Sequence, residues 1–226
     1  MPVKLSIIIP VYNEKNTILE VLKRVEKIKL KGIIKEIIIV DDCSTDGTKE
    51  ILKKLKRHKV YFHEKNLGKG AALRKGFMHA SGEIIITQDA DLEYNPEDYP
   101  IILEPLMSNK SDIVYGSRFL GKHNPRYRLF YYGNKILSLF TSVIYGKKVT
   151  DMETGYKAFR RSILKGINII SNGFGFEPEF TAKVLNKGYK IIEVPVRYKC
   201  REFSEGKKIS WKDGVMAIYY LIRFKK

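Results

Sequence analysis

Cysteine is nearly absent from this chain: Cys43 and Cys200 are the only two in 226 residues. That excludes a disulfide framework and a zinc site and leaves two ordinary reduced thiols. Long apolar runs are missing as well. The longest, Val215 to Ile222, falls far short of the ~20 residues that a membrane-spanning helix needs. Met1-Pro2-Val3-Lys4 runs straight into a strand-like segment with no secretory leader, so the expected location is the cytoplasm. Acidic residues are scarce beside basic ones: 25 Asp and Glu face 42 Lys and Arg, a net charge of +17. An excess of this size attracts polyanions, whether nucleic acid, anionic lipid headgroups or phosphorylated substrates. The lysine-rich surface of a heat-adapted protein gives the same balance. Repeats, low-complexity tracts and dividing linkers are also lacking, which implies one domain over residues 1–226. Hydrophobic residues make up 44% and charged residues 30%, the balance of a globular core rather than a disordered chain.

What is present is a strand–helix alternation. Val3 to Pro10 is a β-rich apolar run, and Ile18, Val21, Leu22, Val25 and Ile28 follow at helical spacing. Ile37 to Val40 and Glu83 to Thr87 read as strands buried on both faces. Val60 to Phe62 and Ile113 to Tyr115 read as further strands. Helices are expected over Asp46 to Leu55, over Gly70 to Ala80 and from near Pro96. The pattern implies an α/β fold with a mostly parallel sheet and helices on both faces. No such rhythm continues past Arg118. Pro125 to Lys148 and Trp211 to Lys226 instead mix basic residues with aromatics at helical spacing.

In an open parallel sheet, ligands bind beyond the carboxyl ends of the strands. Those positions are chemically loaded here: Tyr12-Asn13-Glu14 after the first strand, Asp41-Asp42 after the second, Asp89-Ala90-Asp91 after the fourth. Asp46 and Asn95 are read only as helix caps. Three acidic clusters on one sheet edge of a basic protein call for a cation. Asp89 and Asp91, one residue apart, can share a hard divalent ion such as Mg2+ or Mn2+, with Glu93 as a third oxygen ligand. Such an ion acts as a Lewis acid on a phosphate leaving group.

Three segments, Pro10-Val11-Tyr12-Asn13-Glu14, Val40 to Thr48 and Gln88-Asp89-Ala90-Asp91, resemble the signature stretches of glycosyltransferase family 2. Tyr115-Gly116-Ser117-Arg118, Thr150 to Arg160 and Glu193-Val194-Pro195-Val196 resemble the branch that contains dolichyl-phosphate mannose and glucose synthases. The resemblance implies a GT-A fold, a Rossmann-like sheet in which residues 1–118 bind the nucleotide-sugar and 119–226 face acceptor and membrane. It implies that Pro10, Tyr12, Glu14, Val40 and Asp42 hold the nucleoside, with Asp42 accepting from a base N–H. Asp89, Ala90, Asp91 and Glu93 would then hold metal and diphosphate. Arg118 would face the donor phosphates or the acceptor, and Arg201 and Lys207 would sit on a loop that closes over the nucleotide. The implied reaction is an inverting transfer of a hexose from a GDP-mannose or UDP-glucose type donor to a polyprenyl or dolichyl phosphate.

A lipid phosphate is already ionised near neutral pH and needs positioning more than deprotonation. A sugar hydroxyl, the alternative acceptor, needs a base, for which Asp151 and Glu153 are candidates. One departure concerns the acceptor: where the synthases carry an arginine before the segment matching Gly133-Asn134-Lys135, this chain has Tyr132, leaving Arg126, Arg128 or Lys135 to substitute. Gly68-Lys69-Gly70 lacks the residues that complete a P-loop or a dinucleotide fingerprint. These glycines are expected to open a helix whose N–H groups face the donor. The two aromatic–basic segments are expected to dock on the cytoplasmic face of a membrane without spanning it, with or without a separate membrane subunit. A non-catalytic nucleic-acid-binding protein would not need acidic strand ends, so no nucleic-acid partner is expected. A nucleotidyltransferase shares nucleotide and metal use but releases diphosphate rather than NDP.

Overall fold

A computed structural model describes residues 2–121, 127–201 and 211–225. Within them, seven strands form one sheet: β1 (Val3–Val11), β2 (Ile33–Asp41), β3 (Lys59–Phe62), β4 (Ile84–Thr87), β5 (Ile113–Ser117), β6 (Lys157–Arg160) and β7 (Ile191–Pro195). The spatial order is β3-β2-β1-β4-β6-β5-β7. All neighbours run parallel except β6, which is antiparallel to both β4 and β5.

Successive side chains of a strand point to opposite faces, so a run such as Ile7-Ile8-Ile9 needs a cover on each side. Ile7 and Ile9 join Ile37, Ile39, Ile84 and Ile86 beneath α1 (Ile18–Lys27), α2 (Thr48–Lys53) and α4 (Tyr99–Met107). Ile8, Ile38, Val40 and Ile85 join the opposite core beneath α3 (Lys69–His79), α5 (Arg128–Tyr145), α6 (Phe176–Asn186) and α7 (Trp211–Arg223).

Every strand and helix expected in the first half is present, with ends shifted by a few residues; β2 starts at Ile33 rather than Ile37. The second half holds more than its sequence rhythm announces. β6 is short, and it opens on Lys157, a fully buried lysine that donates to the Met152 and Thr154 carbonyls. α6 is buried nearly all round, from Phe176 to Ala182 and again at Val184 and Leu185, so it lacks the one-sided apolar stripe that marks a surface helix. Residues 119–226 thus supply two strands of the same sheet as well as α5 and α7.

At the amino edge of the sheet, the buried Glu36 carboxylate accepts from Ser6 Oγ (2.6 Å), Lys59 Nζ (2.6 Å) and Ser81 Oγ (2.8 Å). It ties β1, β3 and the turn after α3 together with both oxygens satisfied.

Gly76 shows how tightly α3 lies on the sheet: a Cβ there would stand 2.3 Å from Ile8 Cγ2. Gly76→Ala should lower stability by about 1–3 kcal/mol through overpacking, although alanine is the better helix former. Gly133→Ala on α5, where nothing lies within 4 Å of the new methyl, should raise stability by about 0.5–1 kcal/mol. Urea unfolding of the two variants reads both signs.

Candidate functional site

β1, β2, β4 and β5 all end at one edge of the sheet, and β6, running the other way, begins there. Its reversal brings the 151–155 segment to the same edge as Glu14, Asp42, Asp89, Asp91 and Arg118. α6 starts there too, and the chain leaving β7 returns across it through Tyr198 and Arg201. The result is a cavity of about 370 Å³ bordered by all of these elements.

Asp42 is buried, and its carboxylate is largely occupied from within. Oδ1 pairs with His63 Nδ1 at 2.7 Å and accepts from Leu67 N at 2.9 Å, while Oδ2 accepts from Gly68 N at 2.6 Å. It anchors the 63–68 loop that forms one wall of the cavity. Glu14 takes a two-pronged hydrogen bond from Arg201, Nη1 to Oε2 at 3.1 Å and Nη2 to Oε1 at 3.0 Å. Pro10, Tyr12 and Ala90 line the cavity as expected. Val40 does not: its side chain lies in the core under α3, with no exposed surface. Lys207 lies outside the described residues.

Gln88 fixes the acidic turn after β4. Its side-chain oxygen accepts from Tyr99 (2.8 Å) and Tyr156 (2.7 Å), and its Nε2 donates to the Asp89 carbonyl. Asp89 then meets Lys69 Nζ at 2.8 Å, and Gly155 leaves room for its second oxygen, because a Cβ there would sit 2.1 Å from Oδ2. Burial, with the nearby charges of Asp89 and Glu93, pushes the Asp91 carboxyl up to about 7. Arg201 Nη2 stands 3.8 Å from Asp91, yet burial and the neighbouring carboxylates outweigh it, and such a two-carboxylate turn suits a divalent cation that takes its other ligands from phosphate and water. The three-carboxylate set expected from the sequence does not assemble. Glu93 turns to Tyr198 Oη (2.7 Å) and the Arg201 N–H (2.9 Å), and no cluster of three metal-ligating side chains exists among the described residues.

Arg118 and Asp151 form a closed unit. Asp151 is fully buried and accepts from the Arg118 N–H (2.8 Å), Nε (2.8 Å) and Nη2 (2.7 Å). Burial works against the guanidinium charge, but Asp151 holds it above the ordinary arginine range. Asp151 does not border the cavity, and its carboxylate faces Arg118 instead. Glu153 does border it, and one of its oxygens has no hydrogen-bond partner among the described residues. Burial, followed by the charge of Glu177, raises its carboxyl to about 8.

Sequence reasoning missed Lys69 and Glu177; the glycines beside Lys69 do open a helix, α3, but its first N–H groups do not all face the site. A Cβ on Gly68 or Gly70 would lie 2.5 Å from the carbonyl oxygen of Asn172 or Ser171. The Gly70 and Ala71 N–H groups donate to the Gly173 and Asn172 carbonyls, so these two groups of the α3 amino end face the 171–173 loop and not the cavity. Lys69 is the member that reaches the site, joining Asp89 to Glu177 Oε1 at 2.9 Å. No local sequence signal marks that pair, since Lys69 and Glu177 meet only through the fold.

The chain has counterparts among known proteins. The model of the family described as Glycosyl transferase family 2 matches residues 6–167. A dolichol-phosphate mannosyltransferase of Pyrococcus furiosus is 33% identical over 211 residues, 90% of this chain and 59% of that protein. Glycosyltransferase AglJ of Haloferax volcanii is 31% identical over 199 residues, 87% of this chain and 63% of its own length. This chain therefore spans about three-fifths of either relative. Glucosyl-3-phosphoglycerate synthase from Mycobacterium tuberculosis, solved with Mn2+, UDP and glucosyl-3-phosphoglycerate, superposes with a TM-score of 0.74 over 98% of this chain and 80% of that one. At 20% identity that likeness establishes the GT-A fold alone. On the extent of the family match and of its relatives, this chain belongs to glycosyl transferase family 2.

Proposed function

We propose that this chain transfers a hexose from a nucleotide diphosphate sugar to a polyprenyl phosphate held at a membrane surface. The observation that carries the acceptor is the solvent face of α5. Leu129, Tyr132, Ile136, Leu139 and Val143 recur at helical spacing on the outside of the protein, with Leu129 84% and Val143 73% exposed. α7 packs beside α5 and presents Val215, Ile218, Tyr219 and Ile222 in the same manner. Two adjacent helices with apolar stripes facing water, flanked by Arg128, Lys147, Lys148 and Arg223, form a surface suited to lipid. No helix among the described residues is long and apolar enough to cross a membrane.

This surface connects to the cavity. Arg118 lies over the Phe119 ring (5.7 Å), Phe119 meets Tyr131 of α5, and Lys135 Nζ sits 5.7 Å from Phe119 and 4.8 Å from Tyr131. We therefore assign Lys135, rather than the exposed Tyr132, to the place of the missing arginine at the acceptor phosphate. The dolichol-phosphate mannosyltransferase relative supports this acceptor class, and the UDP complexes of the M. tuberculosis synthase support a nucleotide-sugar donor.

Asp89 and Asp91 would hold Mg2+ or Mn2+, which supplies charge neutralisation for the departing diphosphate. Arg118 and Arg201 add fixed positive charge on either side, in a cavity where burial strengthens each interaction. The acceptor phosphate arrives ionised, and the protein's task is to align it for in-line attack at the anomeric carbon. A second reading follows from Glu153: a carboxyl raised to about 8 at the cavity wall is suited to take the proton of a hydroxyl acceptor.

An NDP-release assay with UDP- and GDP-hexoses, with and without polyprenyl phosphate, tests the reaction. Asp91→Ala, or excess chelator with wild type, should cut NDP release by orders of magnitude while the melting temperature holds within a few degrees; unchanged release removes metal from the reaction. Glu153→Gln separates the acceptors. It should leave transfer to polyprenyl phosphate largely intact, whereas a loss of orders of magnitude, with a wild-type rate that rises as pH approaches 8, identifies a hydroxyl acceptor. Docking is read by co-sedimentation with vesicles containing anionic lipid at low salt. Leu129, Ile136, Leu139 and Val143 changed together to Ser should weaken it strongly at a stability cost of no more than about 1–2 kcal/mol from helix propensity, because these side chains face solvent.

A further inference from the structure

Glu177 belongs to neither the nucleoside wall nor the metal-facing turn, yet it is one of the most enclosed charged groups of the cavity. It lies in the first turn of α6, and its side chain is 5% exposed. Oε1 meets Lys69 Nζ at 2.9 Å, whereas Oε2 is buried and has no hydrogen-bond partner among the described residues. A carboxylate kept only to neutralise Lys69 would be expected to have its second oxygen satisfied by the protein, as Glu36 has at the opposite edge of the sheet. Glu177 instead has one oxygen fixed and the other bare in a wall that borders the cavity.

We infer that Glu177 Oε2 accepts a hydrogen bond from a hydroxyl of the transferred hexose and so selects the donor sugar. This rests on the nucleotide-sugar reading above and assigns a sugar contact within it. Position supports it. Lys69 bridges Glu177 to Asp89, so a single ammonium group separates the bare oxygen from the carboxylate that faces the diphosphate. The hexose is bonded directly to that diphosphate and must lie within one ring of it. Chemistry supports it as well. A carboxylate oxygen is an acceptor only, and a sugar hydroxyl is the donor that a hexose offers in every direction. Phe174 and Ala90, on the same cavity, supply apolar surface for the C–H side of the ring. A buried acceptor built for a hydroxyl discriminates against an analogue that lacks it, because the oxygen is then left bare. Lys69 acts through Glu177 and Asp89 as a positioning residue.

The test is calorimetric binding of UDP, GDP, UDP- and GDP-hexoses and the 2-, 3-, 4- and 6-deoxy analogues of the hexose donor that the wild type binds. Glu177→Gln, which keeps the shape and an acceptor for Lys69, should weaken the NDP-hexose about 10-fold or more while the affinity for NDP alone stays within about twofold. One deoxy donor should lose about 10- to 100-fold on wild type and no more than the parent hexose on Glu177→Gln. Equal weakening of NDP and NDP-hexose would overturn the assignment, making Glu177 a support for the diphosphate site. Wild-type protein that binds all four deoxy donors as tightly as the parent would also overturn it, with no variant required to fold. If wild type binds NDP but gains nothing from any attached hexose, the sugar contact fails while the nucleotide site stands. If it binds neither NDP nor NDP-hexose, the donor reading and this assignment fall together.

Discussion

Like charges gathered out of bulk water repel, and this protein confines most of its functional carboxylates to one edge of a sheet covered on both faces. Cations must be threaded among them for the edge to exist at all. Arg201 answers Glu14, Arg118 answers Asp151, and Lys69 stands between Asp89 and Glu177. The compensation is incomplete where chemistry is needed. Asp91 and Glu153 are both pushed toward the neutral form, and Glu153 and Glu177 each keep an oxygen without a partner among the described residues. Leaving a buried acceptor bare costs about 1–3 kcal/mol. Glu36, saturated at the far edge, shows the opposite case, while Asp41, fully buried and outside the cavity lining, also has one oxygen without a partner among the described residues, so it is position on the cavity wall that sets Glu153 and Glu177 apart.

Much of this edge was legible in the sequence because the first half obeys a simple rule. All-aliphatic strands need cover on both sides, helices supply it, and polar residues have only the strand ends left. Tyr12, Glu14, Asp42, Asp89 and Asp91 could be placed on that ground. Their partners could not, since Arg201 lies 187 positions from Glu14, and the alternative orientations of Glu93 depend on where Tyr198 returns. Glu93 illustrates the limit: spacing put it beside the DAD turn, but tertiary contacts turned its carboxylate toward the tyrosine and the Arg201 backbone.

The second half resisted reading for a different physical reason. Periodicity reports an element only when one side meets water and the other meets the core. α6 is enclosed on nearly every side and β6 carries a buried lysine, so neither shows that contrast. α5 and α7 do show it, but with apolar residues on the water side as well as the protein side. Basic residues mixed with aromatics at helical spacing marked both segments, and the large apolar side chains exposed on them proved to be mainly aliphatic.

The reversed strand has a consequence for how the chain must be made. β5 pairs only with β6 and β7, and β4 meets it only through β6. When Ser117 leaves a ribosome, the neighbours of β5 have not been synthesised; Lys157, which opens β6, comes 40 positions later. At about 5–20 residues per second, the nascent chain carries this strand unpaired for roughly 2–8 s. Ile113, Val114 and Tyr115, fully enclosed in the finished protein, spend that interval without a strand on either side. Release of the chain near residue 118 would make the exposure permanent, and the orphaned strand would become a template for aggregation.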